Sequence, residues 1–170
     1  TEVAQPLILT ASIAIWRMMS SQLDLTPKVI AGHSLGEWSA LVCAGVISFS
    51  DAVSLVRKRG EYMQAAVAKE ESAMAAVIGL EDKVVSTLCD NLSTDDAIVE
   101  AVNFNAPGQV VIAGHRHIVE KAIESATQKG AKRALKLAVS APFHTSLMRP
   151  AAKKLAKDLD KVVFNKPKLK

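Results

Sequence analysis

Apolar residues recur at helical spacing from the start of the chain, at Val3, Leu7, Ala11, Ala14, Ile15 and Met18. This series predicts a helix that stops before Leu25 to Pro27. Lys28 to Gly32 is a short β-prone run, Leu35 to Ala44 is helical again, and Gly45 stands where a helix C-cap is expected. The order is strand, sharp turn, helix. Ser50 and Asp51 offer an N-cap to a helix running to about Lys69, with Ala52, Leu55, Val56, Arg59, Met63 and Ala66 on its inward stripe.

The pattern then changes character. Ala73 to Leu80 reads as a strand, Lys83 to Leu92 as a helix, and Ile98 to Phe104 and Val110 to Ala113 as strands. Ile118 to Gln128 reads as a helix and Ala131 to Val139 as a strand. The order βαββαβ is that of a ferredoxin-like lobe, and Asn105-Ala106-Pro107-Gly108 is turn chemistry between its middle strands. After Pro142 the chain is expected to rejoin the first part through a helix from about Ser146 or Pro150, with Ala151, Leu155 and Leu159 inward, and then a terminal strand from Val162. The fold class is α/β. No repeat or low-complexity tract interrupts it. Because the chain opens without Met in a helical pattern and closes just after a strand, it reads as an excerpt of a longer protein.

With 170 residues, 49% of them apolar and 22% charged, the composition is that of a globular domain with one core. No apolar run approaches the roughly 20 residues of a membrane span, and residues 1–6 lack the features of a signal peptide, so a cytoplasmic location is expected. Cys43 and Cys89 fit no metal or disulfide spacing and read as reduced core residues. The charge of +4 comes mostly from Lys and Arg late in the chain, from Lys132 and Arg133 to Lys168 and Lys170. Such a cluster is either a solvated helix face or a surface for an acidic or phosphate-bearing partner. Nucleic acid is not expected, because aromatic residues are only 4% of the chain and no stacking platform is evident.

Chemistry concentrates at Gly32-His33-Ser34-Leu35-Gly36, a G-x-S-x-G between a predicted strand and a predicted helix. In a nucleophile elbow the glycines allow a tight turn that presents the Ser34 hydroxyl at the head of a helix. The N–H of Leu35 then faces a developing oxyanion, and the helix dipole favours that charge. A serine needs a base. His33 adjoins Ser34, where successive side chains diverge, and its plain reading is structural. His115 and His117 read as surface side chains. His144, in the rigid segment Ala141-Pro142-Phe143-His144 where the chain leaves the small lobe, is the candidate base. Arg59 lies on the inward stripe of its helix, unlike Arg57 and Lys58 on the outer face, and a buried guanidinium requires a partner. That partner is either an internal carboxylate or a substrate carboxylate, which Arg binds in bidentate fashion.

The runs Gly32 to Leu41, Ala44-Gly45-Val46, Arg59-Gly60, Gln5-Pro6, Asn103 to Gln109 and Pro142-Phe143-His144 together resemble the malonyl-CoA:acyl carrier protein transacylases of bacterial fatty-acid synthesis. The resemblance spans nearly the whole chain. It implies an α/β-hydrolase-like main domain (residues 1–70), an inserted ferredoxin-like subdomain (71–140) and a return to the main domain (141–170). It implies that Ser34 takes the malonyl group from malonyl-CoA while His144 moves the proton, and that a phosphopantetheine thiol of acyl carrier protein then receives the group. Leu35 would serve the oxyanion hole, Arg59 would bind the malonyl carboxylate, and Gln5, Phe143 and His33 would join it in substrate binding. No cofactor beyond the substrate is implied, no metal and no membrane partner, and the enzyme is expected to be a monomer. Trp38 stands where many relatives carry Tyr. The family's N-terminal Gly-Gln-Gly loop and the C-terminal Asn that orients the histidine have no counterpart in this chain, and full-length relatives are close to twice as long. Two other readings share some of these residues: a serine hydrolase or thioesterase, in which Arg59 lacks a purpose, and a silent domain that only docks a carrier protein.

Overall fold

The helical periods at the start of the chain become three helices in the computed structural model, which describes residues 1–24 and 27–169. They are α1 (Ala4–Gln22), α2 (Leu35–Cys43) and α3 (Phe49–Gln64). There follow β1 (Ser72–Ile78), α4 (Asp82–Leu92), β2 (Val99–Ala106), β3 (Gln109–His115), α5 (Arg116–Gln128), β4 (Arg133–Lys136) and α6 (Arg149–Leu159). The class is α/β, as expected. The chain forms two compact units, residues 1–62 with 153–170, and residues 63–152. Leu25 and Thr26, at the expected end of the first helix, and Lys170 of the basic cluster lie outside the described residues.

In the first unit, Leu9 and Ile13 of α1, Trp38 of α2, Ile47, and Ala52, Leu55 and Val56 of α3 form one core, with Leu155 and Leu159 of α6 packed against it. The stripe expected on α3 is therefore the one that turns inward. On α1 the inward face is Gln5, Leu9 and Ile13, while the expected series Val3, Leu7, Ile15 and Met18 is exposed. That helix is apolar on nearly every side, so spacing alone does not select its buried face. The start of α3 is capped by Ser48 rather than by Ser50 or Asp51: Ser48 Oγ accepts the Asp51 N–H at 3.0 Å and donates to Asp51 Oδ2 at 2.6 Å. The helix ends at Gln64 rather than near Lys69, because the chain must extend by Ser72 to pair with His115.

Two expected strands are absent. A strand exists by pairing its N–H and C=O groups with a neighbour, and no ladder forms among the described residues at 28–32 or from Val162 onward. The latter segment is irregular but tied down, with Asn165 N–H donating to the Val46 carbonyl and Lys168 N–H to the Ala44 carbonyl, each at 2.8 Å.

In the second unit, β1, α4, β2, β3, α5 and β4 build a four-stranded antiparallel sheet in the order β2-β3-β1-β4. Alternation along β1 sends Ala73, Ala75 and Val77 toward α4 and α5, where Val85, Leu88, Val119 and Ala122 close the core. Met74 points to the opposite face and forms a second cluster with Val111 and Ala113, against which Val102, Leu137 and Phe143 pack. The β2–β3 link is a two-residue turn with Pro107 second and Gly108, at φ +72°, third, the residue types a type II turn demands. β4 is shorter than the expected 131–139 because it pairs only with Ala75 to Ile78 of β1. No helix among the described residues is long and apolar enough to cross a membrane. Cys43 and Cys89 are free, and burial pushes both thiols up, that of Cys89 to about 12.

Candidate active site

Ser34 occupies the N-cap position of α2 with φ 54° and ψ −108°, one of two non-glycine residues at positive φ among those described. Such a conformation costs about 1–3 kcal/mol and persists only where its surroundings enforce it. Gly32 explains the enforcement. A Cβ built on it would lie 2.0 Å from the Gly36 carbonyl carbon, so the chain before Ser34 passes against the first turn of the helix after it. Gly36 itself has open space where its Cβ would be. The turn closes with Gly36 N–H donating to the His33 carbonyl at 2.9 Å. Leu35 is the first residue of α2, so its N–H is one of the four amides that a helix start leaves without an intrahelical acceptor. His33 is exposed beside it.

The structure brings Ser34, Arg59 and Gln5 together within the first unit. Arg59 Nη2 donates to Ser34 Oγ at 3.0 Å, and Nη1 donates to Gln5 Oε1 at 2.5 Å. Gln5 is buried and its amide donates in turn to Thr1 Oγ1 at 3.2 Å. Both acceptors on the guanidinium are neutral. Among the described residues no carboxylate forms an ion pair with Arg59, so of its two possible partners the internal carboxylate is missing. Burial pushes the guanidinium below its ordinary value, and the Glu37 carboxylate, in the first turn of α2, opposes that shift at longer range. Thr1 and Glu37 were not singled out from sequence: the first has only an ordinary hydroxyl to signal it, and the second lay inside the quoted motif.

Lys58 is not the plain solvated residue expected. Its Nζ lies 2.8 Å from the buried Asp158 of α6, which also accepts the Tyr62 hydroxyl at 2.7 Å. Hydrogen bonds from Lys58 and Tyr62 hold the Asp158 carboxyl down at about 2.

His144 and Phe143 are positioned by the second unit. His144 is the other non-glycine residue at positive φ, 66°. Its neighbours hold it there: Pro142 and Thr145 are buried, and Thr145 Oγ1 donates to the Pro142 carbonyl at 2.7 Å. Phe143 packs on the sheet face of Met74, Val111 and Ala113, while His144 is exposed. Of the other histidines, His117 is exposed as expected. His115 is half-buried instead, its Nδ1 accepting the Ile98 N–H at 3.0 Å.

The whole chain, residues 1–170, matches the family model described as acyl transferase domain. It is 54% identical over 163 residues to the malonyl CoA-acyl carrier protein transacylase of Escherichia coli (strain K12), an alignment covering 96% of this chain and 52% of that protein. The chain thus spans about half the length of the curated relatives it matches. Among solved structures, a malonyl CoA-acyl carrier protein transacylase from Coxiella burnetii aligns with a TM-score of 0.97 at 45% identity, covering 99% of this chain and 53% of that one. A malonyl-transacylase solved in complex with its type II PKS acyl-carrier protein aligns with a TM-score of 0.96 at 49% identity, covering 99% and 54%.

Proposed function

We propose that this chain, which belongs to the acyl transferase domain family, is part of an enzyme that moves a malonyl group from malonyl-CoA to the phosphopantetheine thiol of acyl carrier protein. The observation that carries the proposal is the Arg59 guanidinium, which donates to Ser34 Oγ and to Gln5 and has no carboxylate partner among the described residues. A cation so placed is matched by an acyl group with a free acid end. A plain thioesterase has no use for it.

In the proposed reaction Ser34 Oγ attacks the thioester carbonyl of malonyl-CoA while His144 accepts the hydroxyl proton. The oxyanion is met by the Leu35 N–H at the positive end of α2. Collapse expels the coenzyme A thiolate, which takes the proton from His144, and leaves malonyl-Ser34. The carrier thiol then gives its proton to His144 and attacks the ester, and collapse of the second tetrahedral species forms the malonyl thioester of the carrier and expels the Ser34 alkoxide, which takes the proton back from His144. Throughout, the malonyl carboxylate binds Arg59, with Gln5 buttressing the guanidinium, and Phe143 and His33 are the further residues we assign to substrate binding. No cofactor takes part.

The strand order β2-β3-β1-β4 with both helices on one face supports reading residues 71–140 as a ferredoxin-like subdomain. The elbow supports an α/β-hydrolase-like main domain formed by residues 1–70 and 141–170. We place the enzyme in the cytoplasm as a monomer, with acyl carrier protein as its macromolecular partner and no nucleic-acid or membrane partner.

The test is intact-protein mass spectrometry after brief incubation with malonyl-CoA, on this chain and on a polypeptide completed to the relatives' length, with Ser34→Ala as control. A malonyl-sized gain that disappears in the control is expected for the completed polypeptide. No gain in either polypeptide would sink the transacylase reading.

A further inference from the structure

The loop that carries His144 is pinned to the sheet by a carboxylate that the proposed reaction does not use. Glu100 lies on β2 in register with Ala113 of β3, and so faces the side of the sheet on which Phe143 packs. Its Oε2 accepts the backbone N–H of Ser146 at 2.7 Å. A carboxylate acceptor makes this a short, charge-assisted bond, and it sits two residues beyond His144. On the other side of the loop, Gln64 Nε2 donates to the Ser140 carbonyl at 3.3 Å. Between these anchors His144 keeps its φ of 66°, a conformation that relaxes unless the flanking backbone is held.

We propose that Glu100 is a positioning residue for His144: by holding the Ser146 N–H it fixes the backbone that aims the imidazole. The inference rests on the reading of His144 as the base, and extends it to a residue far off in sequence that touches no reacting atom. The Ser146 N–H would be held equally well by a carboxylate of merely structural value, so the test must read the imidazole and not only the fold.

The experiment uses the completed polypeptide with Glu100→Asp, which keeps the charge but withdraws the oxygen by one carbon–carbon bond, Glu100→Gln, which keeps an acceptor at full reach, and His144→Ala. Malonyl transfer is measured as kcat and KM, and the ring proton signals of His144 are followed by NMR against those of His115 and His117. Misaiming a catalytic group by about 1 Å costs up to roughly 100-fold, so E100D is expected to lose about 10- to 100-fold in kcat with little change in KM. Its His144 signal should shift or broaden while the other histidines stay put, and E100Q should recover most of the rate. An E100D enzyme with wild-type kcat and an unmoved His144 signal overturns the proposal, as does a loss confined to thermal stability or to KM. If H144A retains full activity the base assignment fails, and the NMR arm still decides whether Glu100 positions the loop.

Discussion

Replacing Arg59 by Ala tests the specificity assigned to the site most directly. Before substrate binds, the guanidinium already donates two hydrogen bonds, to Ser34 Oγ and Gln5 Oε1. A guanidinium has five N–H donors and these bonds use two of them, so a malonyl carboxylate can bind the others while Gln5 keeps its own. A hydrogen bond to a charged group contributes roughly 1.5–3 kcal/mol, so each one that the acid end makes with Arg59, and that an acetyl group cannot make, contributes about that much. At 1.4 kcal/mol per tenfold, one such bond is a preference of roughly 10- to 150-fold for malonyl-CoA over acetyl-CoA that depends on Arg59. The assay is kcat/KM for acyl transfer from each thioester, measured on a polypeptide completed to the relatives' length. R59A should lose malonyl transfer by that factor while acetyl transfer holds or rises. R59K, a point charge without the planar fork, should lie between. Equal losses with both thioesters would refute the reasoning, and would mean that the guanidinium serves the orientation of Ser34 rather than the recognition of an acid.

The two glycines of the elbow should respond oppositely. Gly32→Ala places a Cβ 2.0 Å from the Gly36 backbone and must unseat the turn, so loss of Ser34 acylation with a lowered melting temperature is expected. Gly36→Ala meets nothing within 4 Å and removes a glycine from a helix, so thermal denaturation should show a gain of up to about 1 kcal/mol. A reversed order would disprove the packing described for the elbow. Asp158→Asn should lower the melting temperature at neutral pH, because the native carboxyl, hydrogen-bonded by Lys58 and Tyr62, is held at about 2 against about 3.9 in an unfolded chain. Its stabilising contribution is complete above the unfolded value and disappears as pH falls through about 4 toward about 2. Melting curves of variant and wild type should converge over that range, and a gap independent of pH would count against the network.

What could be read from the residues alone divides by physical cause. The elbow was legible because Gly32, Ser34 and Gly36 carry stereochemical consequences wherever they stand, and positive φ at Ser34 is the conformation that such a turn requires. The sheet of the second unit was legible because β1 and β3 are short apolar runs, buried at nearly every position, and the turn between β2 and β3 carries residue types that admit few geometries. Strands at 28–32 and beyond Val162 were misread because a β-prone run becomes a strand only when a neighbour completes its hydrogen bonds. The buried face of α1 was misread for a related reason: Leu7 and Leu9 are equally apolar, and only the arrival of Trp38 and Val56 decides that Leu9 is the one to be covered.

The same division runs through the site. That Arg59 faces inward follows from helical period, but that it meets Ser34 and Gln5 depends on contacts 25 and 54 positions apart. Lys58 and Arg59 are neighbours of like charge, yet one is neutralised by Asp158, 100 positions away, and the other by no described carboxylate. Residue type gives the demand for a partner, and tertiary structure supplies or withholds it. Where it is withheld beside a strained serine, the unmet charge is better explained by a ligand than by the fold, since a core with no use for the guanidinium would be more stable with an apolar side chain of like volume. That argument ties the proposed acid specificity to the lack of an ion-paired carboxylate at Arg59 among the described residues rather than to the elbow, which is common to many acyl-transferring sites.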